Sequence, residues 1–171
     1  MLVSAAQIDV VLLMGSASDW KYLKGGVALL GELGLTFRVH VTSAHRTPQR
    51  TKDIVRTAED DGCKVFICAA GMAAHLAGVV ASYTLRPVLG VPLPGGVLDG
   101  VDALLSTVQM PGGIPVATFA VGSAGAKNAA VCAAQIIAIE SESVGQALRE
   151  MRARAAGKVE QSETEILADL P

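Results

Sequence analysis

Aromatic side chains are scarce in this sequence, at 4% of 171 residues. A chain so poor in rings has little with which to stack a flavin, which disfavours a flavin-binding module. Charge of neither sign dominates, with 14 Lys and Arg against 16 Asp and Glu and a formal charge of −2. No block of basic residues with interleaved aromatics occurs, so a nucleic-acid surface is not expected. Cysteine is limited to Cys63, Cys68 and Cys132, an odd number with no CxxC pair, and two of them fall in or beside apolar runs. Buried free thiols in a reducing compartment are expected, not a disulfide framework. Three histidines and three cysteines show no metal-ligand spacing, so no metal is predicted. No apolar run approaches the ~18 residues of a membrane span. Residues 1–8 lack the basic segment and long apolar core of a leader. A cytoplasmic protein with no membrane partner is the expectation. There is neither a Walker loop nor a GxGxxG turn, and no Gly-x-Ser-x-Gly elbow, which argues against triphosphate, dinucleotide and serine-hydrolase chemistry.

What is present is apolar and small. Hydrophobic residues make up 51% and charged ones 18%, and Gly and Ala are abundant. That length and composition suit one domain spanning 1–171 and burying roughly 70% of its unfolded surface. Its core covers about 8–140, with a C-terminal helix and tail over about 141–171. Continuous apolar runs at 9–14, 65–70 and 87–93 have the pattern of strands covered on both faces, and 35–41 alternates. A fifth strand is expected at 115–121. Helical patterns fill the intervals: Leu23, Val27, Leu30 and Leu33 with Gly34 as stop, then Ile54, Val55 and Ala58 after Thr47 as N-cap and Pro48 at the first helical position. A small-residue helix runs to about Tyr83, and a short one spans 102–109. A long apolar helix covers 126–139, and a charged helix with Leu148, Met151 and Ala155 precedes a frayed acidic tail. Gly25 and Gly26 weaken the first helix by about 1 kcal/mol each relative to Ala.

Five strands alternating with helices define an α/β fold, a flavodoxin-like three-layer αβα sandwich. Its five-stranded parallel sheet has the order 2-1-3-4-5, with an extra C-terminal helix. In that order ligands bind beyond the carboxyl ends of the strands, where strands 1 and 3 part. The loops there are 15–19, 43–47 and 71–75, so three polar constellations converge on one crevice. Gly15-Ser16-Ala17-Ser18-Asp19 is either a phosphate cradle at a helix N-terminus or simply a cap made by Ser18 or Asp19. His45-Arg46 pairs a group that titrates near neutral pH with a bidentate phosphate binder. A solvated loop histidine is the plainer alternative. His75, among alanines, reads equally as a packed or capping histidine, and His40 as structural or exposed. The Gln109-Met110-Pro111-Gly112-Gly113 stretch is an ordinary turn or a subunit contact.

Several motifs taken together resemble N5-carboxyaminoimidazole ribonucleotide mutase, the class I catalytic subunit family of phosphoribosylaminoimidazole carboxylase. They are Met14-Gly-Ser-Ala-Ser-Asp-Trp20, Ser43-Ala-His-Arg-Thr-Pro48, Ala73-Ala-His-Leu76, Pro87-Val-Leu-Gly-Val-Pro92, and Gln109-Met-Pro111 through Ala117-Thr118. The resemblance covers about residues 8–140 in unbroken order. It implies an isomerase of purine biosynthesis that moves a carboxylate from the exocyclic nitrogen to ring C4. It also implies no cofactor, and a homo-octamer of flavodoxin-like subunits. On this resemblance His45 is the acid/base for the C4 proton and His75 lines the carboxylate pocket. Ser16, Asp19 and Arg46, helped by Ser18 and Ser43, hold the ribose phosphate. The small backbone positions Ala44, Gly71 and Ala73, with Leu76, close around the ring. One segment departs from the family pattern Gly-Ala-Gly-Gly-Ala-Ala-His-Leu-Pro-Gly and reads Ala69-Ala70-Gly71-Met72-Ala73-Ala74-His75-Leu76-Ala77-Gly78. Met72 stands there in place of a residue free to take positive φ. Rival readings are a degenerate relative that binds a ribonucleotide phosphate without turnover, and a carboxylase that uses free CO2.

Overall fold

The computed structural model describes residues 8–170. The leader expectation falls on residues that, apart from Ile8, lie outside the described ones. Five parallel strands form one sheet in the order β2-β1-β3-β4-β5. They are β1 Val10–Met14, β2 Phe37–Val41, β3 Val65–Ala70, β4 Val88–Pro92 and β5 Ala117–Thr118. Between and after them run α1 Trp20–Glu32, α2 Pro48–Asp60, α3 Leu76–Ala81, α4 Val101–Val108, α5 Ser123–Ala138 and α6 Glu142–Ala168. The flavodoxin-like αβα architecture and strand order are those expected.

Period-two alternation in the central strands sorts side chains to two cores. On one face Val10, Leu12 and Met14 of β1 join Val65 and Ile67 of β3 and Leu89 and Val91 of β4 under α1, α5 and the start of α6. On the other, Val11, Leu13, Phe66, Cys68 and Val88 meet α2 and α3. Each fully buried Leu or Phe contributes on the order of 1.5–3 kcal/mol. The register is in step across the centre, with Leu13 beside His40 on β2 and Cys68 on β3. The carboxyl ends of β1 to β4 therefore finish within one residue of one level, which lines up the loops that follow.

Small residues set how closely the layers approach. A Cβ at Gly26 would stand 2.6 Å from the carbonyl oxygen of Ala126 in α5. Gly26 costs α1 helix propensity, yet it is what allows α1 to rest on the alanine face of α5.

Three elements differ from the sequence expectation. The fifth strand contracts to two residues, because it lies at the sheet edge and its ladder with β4 joins only Leu89 with Ala117 and Gly90 with Thr118. The helix that follows the fifth strand begins at Ser123, directly after Gly122 turns the chain at φ 77°. The tail does not fray at the end of a short helix: α6 runs unbroken for 27 residues. Its exposed turns are tied by i,i+4 bonds, Gln146 to Glu150 at 2.9 Å and Gln161 to Glu165 at 2.9 Å. Such pairs add about 0.2–0.5 kcal/mol each to a helix of good formers.

Candidate active site

The turn after β1 is built by capping. Ser16 is the N-cap of a short 3-10 turn, Ala17–Asp19, and its side chain accepts from the Ser18 N–H at 3.3 Å. Asp19 reaches back to accept from the Ser16 N–H at 3.0 Å, completing a capping box. The Ser18 hydroxyl donates to Ser16 Oγ at 2.9 Å. The capping alternative is thus realised, with Ser16 as the cap. Burial lifts the Asp19 carboxyl above its ordinary range, against the lowering pull of its Ser16 and Ser18 hydrogen bonds.

The turn after β2 closes on itself. The Thr47 N–H donates to the Ser43 carbonyl at 2.9 Å, the Arg46 N–H to Ser43 Oγ at 3.2 Å, and the Ser43 N–H to Thr47 Oγ1 at 2.9 Å. Thr47 occupies the N-cap position before Pro48, but its hydroxyl serves this loop and does not cap α2. Beneath it lies a feature that sequence reading missed, a chain of three threonine hydroxyls. Thr42 Oγ1 stands 3.1 Å from Thr47 Oγ1 and 2.9 Å from Thr51 Oγ1. Thr42 and Thr51 are 3% and 0% exposed, so these hydroxyls have only each other and nearby backbone as partners. A periodicity argument does not find them, since threonine fits strand and helix patterns alike.

The turn after β3 is held by its backbone. The Ala74 N–H donates to the Gly71 carbonyl at 3.1 Å, and Leu93 N–H to the Ala70 carbonyl at 2.9 Å. Met72 and Ala74 both adopt left-handed conformations, φ 57° and 45°. This costs a residue with a Cβ roughly 1–2 kcal/mol.

The three turns enclose a cleft of about 590 Å³ at the carboxyl edge of the sheet. It is lined by Ser16, Ser18 and Asp19; by Ser43, Ala44, His45 and Arg46; and by Gly71, Ala73, His75 and Leu76, together with Met72. All eleven residues assigned from the sequence are therefore brought together. Pro94, Gly95 and Gly96, from the turn after β4, complete the wall. They went unassigned although the carboxyl-end rule points to them as well. A larger groove of about 990 Å³ lies elsewhere, along residues 81–89, Ile114 and Ile136; its lining is mainly apolar and contains no histidine.

Inside the cleft His45 Nε2 lies 2.7 Å from His75 Nδ1. The rings meet edge to face, centroids 4.9 Å apart and planes at 83°. Two imidazole nitrogens at that distance hold one proton between them, one donating and the other accepting. His75 stands at the N-cap position of α3 without capping it, its ring turned to His45. Arg46 Nη2 donates to the Gly15 carbonyl at 3.4 Å, linking the first two turns. His40, on β2, lies outside the cleft and faces a groove shared with Arg50 and Asp53 of α2. Among the described residues no group of three His, Cys, Asp or Glu could hold a metal ion. No helix among them is long and apolar enough to cross a membrane.

Fold and cleft together define a doubly wound α/β protein whose switch-point site joins an arginine, hydroxyls at a helix start and a coupled histidine pair. The chain belongs to the AIR carboxylase family, whose sequence pattern matches residues 9–158. It is 44% identical over 164 residues to the N5-carboxyaminoimidazole ribonucleotide mutase of Brucella melitensis, covering 96% of each chain. It is 53% identical over 133 residues to the protein of the same name from Haemophilus influenzae, covering 78% of this chain and 80% of that one. The crystal structure of Treponema denticola PurE matches with a TM-score of 0.83 at 26% identity, over 91% of this chain and 96% of that one.

Proposed function

We propose that this chain is an isomerase of purine biosynthesis that converts N5-carboxyaminoimidazole ribonucleotide to 4-carboxyaminoimidazole ribonucleotide. The observation that carries the reading is the 2.7 Å contact between His45 Nε2 and His75 Nδ1, set in a cleft whose other end offers Arg46 and the Ser16 turn. The family relationship and the mutase names of the similar proteins support it.

The reaction breaks the exocyclic N–C bond and forms a bond from ring C4 to the same carbon. One proton is delivered to the nitrogen and one is withdrawn from C4, so a single relay serves both halves. His45 takes the C4 proton and returns a proton to the nitrogen, with His75 holding the other end of the shared hydrogen bond. Neither metal nor organic cofactor enters this scheme. Arg46 binds the phosphate, where a fork of N–H donors suits its oxygens. Ser16, Ser18 and Ser43 supply hydroxyls to the same end, and Asp19 accepts from the ribose phosphate unit while holding the Ser16 N–H. Ala44, Gly71, Ala73 and Leu76 let backbone and small side chains close on the flat ring. The working form is a homo-octamer in the cytoplasm, with the 109–113 turn as one subunit contact.

Incubating purified protein with N5-carboxyaminoimidazole ribonucleotide should produce the ultraviolet change of C4 carboxylation. Absence of turnover at micromolar enzyme would sink the reading and leave phosphate binding alone.

A further inference from the structure

Among the described residues that line the cleft, Met72 is the one long, flexible apolar side chain that is exposed. Of the lining residues near it, Ala70, Gly71 and Ala73 are small, and Leu76 is 2% exposed within the core. Met72 is 67% exposed and sits in a left-handed conformation that a glycine would adopt without strain. Strain of this kind persists where the surroundings impose it, and it concentrates at ligand-handling sites. The base of the turn packs closely on the turn after β4: a Cβ at Gly71 would stand 3.3 Å from the Leu93 carbonyl oxygen, and the Leu93 N–H donates to the Ala70 carbonyl. What can move is the Met72 side chain, unbranched and free about three bonds.

The chemistry gives that side chain a task. Breaking the N–C bond yields CO2 and, with one proton, the free aminoimidazole; capture at C4 then forms the new C–C bond and expels the C4 proton. CO2 carries no charge and its oxygens accept only weak hydrogen bonds, so serines, histidines and arginine alone hold it poorly. An apolar wall retains it, and excludes water as well. We propose that Met72 closes over the cleft mouth and retains the released CO2, so that it decides whether the carboxylate reaches C4 or escapes. This rests on the mutase reading above.

The test supplies substrate carrying an isotopic label in its carboxylate, in buffer with excess unlabelled bicarbonate. Label in the C4 product and free aminoimidazole ribonucleotide are both measured, with an enzyme-free blank subtracted. Wild type and Met72→Leu should keep the label. Met72→Ala and Met72→Gly should release ~5-fold or more aminoimidazole ribonucleotide per C4 product and dilute the label in step, as expected when an apolar closure is lost. Alanine keeps the backbone strain and removes the bulk, whereas glycine removes both. Wild-type retention in Met72→Ala, or loss of both products in it, would overturn the proposal. Absence of wild-type turnover would overturn the mutase reading itself, and the proposal with it.

Discussion

The two histidines that meet across the cleft come from turns held in opposite ways. His45 sits in a loop fastened by side chains: Ser43 and Thr47 clasp it from both ends, and the buried hydroxyls of Thr42 and Thr51 lie beneath. His75 sits in a loop with no comparable side-chain bonds, held by backbone contacts and by two alanine or methionine residues in left-handed conformations. One turn has its geometry fixed by satisfied polar groups, and the other carries strain to reach the same 2.7 Å contact. A close histidine contact is therefore assembled from one restful and one tense support, and the two should respond differently to substitution.

The largest effect is expected at the contact itself. His45→Asn should lower kcat by about 10²- to 10⁴-fold, with KM for the ribonucleotide nearly unchanged, in the ultraviolet assay. Near-normal kcat would remove His45 from the acid/base role and make the contact incidental. Next comes the fastened turn. Thr51→Val should cost about 1–2 kcal/mol in denaturant unfolding, because it strips a partner from the buried Thr42 hydroxyl. Thr42→Val combined with Thr51→Val should recover most of that loss, since neither hydroxyl is then left wanting. Additive losses in the double variant would contradict the coupling of the two hydroxyls.

The strained turn should show the opposite sign. Met72→Gly relieves a left-handed side chain at some cost in unfolded-chain entropy, for a net gain of about 1 kcal/mol. In a chain of this size that raises Tm by roughly 2–4 °C. An unchanged or lower Tm would mean that the methionine is not strained. The smallest effect concerns His40, on the strand leading into the fastened turn. Burial, then Arg50 and Arg38, hold His40 below its ordinary pKa. The unfolded chain thus binds the extra proton first. The stability His40 contributes is complete above about pH 6.5 and is lost as pH falls through that value toward the folded pKa. Between about pH 7.5 and about pH 5.5, wild-type Tm should fall more than that of His40→Gln. Equal falls would leave His40 without a part in acid sensitivity.

Much of this was legible in the residues. The strand order follows from apolar runs at 9–14 and 65–70 separated by amphipathic helices, and with the order came the crevice and its lining. Motif resemblance assigned His75 to the pocket, where local pattern alone left it a packed or capping residue. The misses have physical causes. The fifth strand had the right composition, but an edge strand extends only as far as its neighbour pairs, and β4 pairs it at two residues. The length of α6 depended on side-chain pairs along an exposed helix, which add up without an apolar stripe to announce them. The threonine chain under His45 links positions 42, 47 and 51, which only the bend from β2 into α2 brings together.

The cysteines carry a practical consequence. None lines the cleft. Burial pushes the Cys63 thiol up to about 11 and raises Cys68 and Cys132 as well. Thiolate is the reactive form, so the buried Cys63 and Cys68 are poor targets for maleimides and iodoacetamide, while the half-buried Cys132 is slowed but still open to them. Replacing Cys132 alone would thus leave a quiet background for site-directed labelling. A single cysteine engineered on an exposed turn of α6, for example at Val159, would take up a fluorophore almost alone. It would report distances within the protein while Cys63 and Cys68 stay in place.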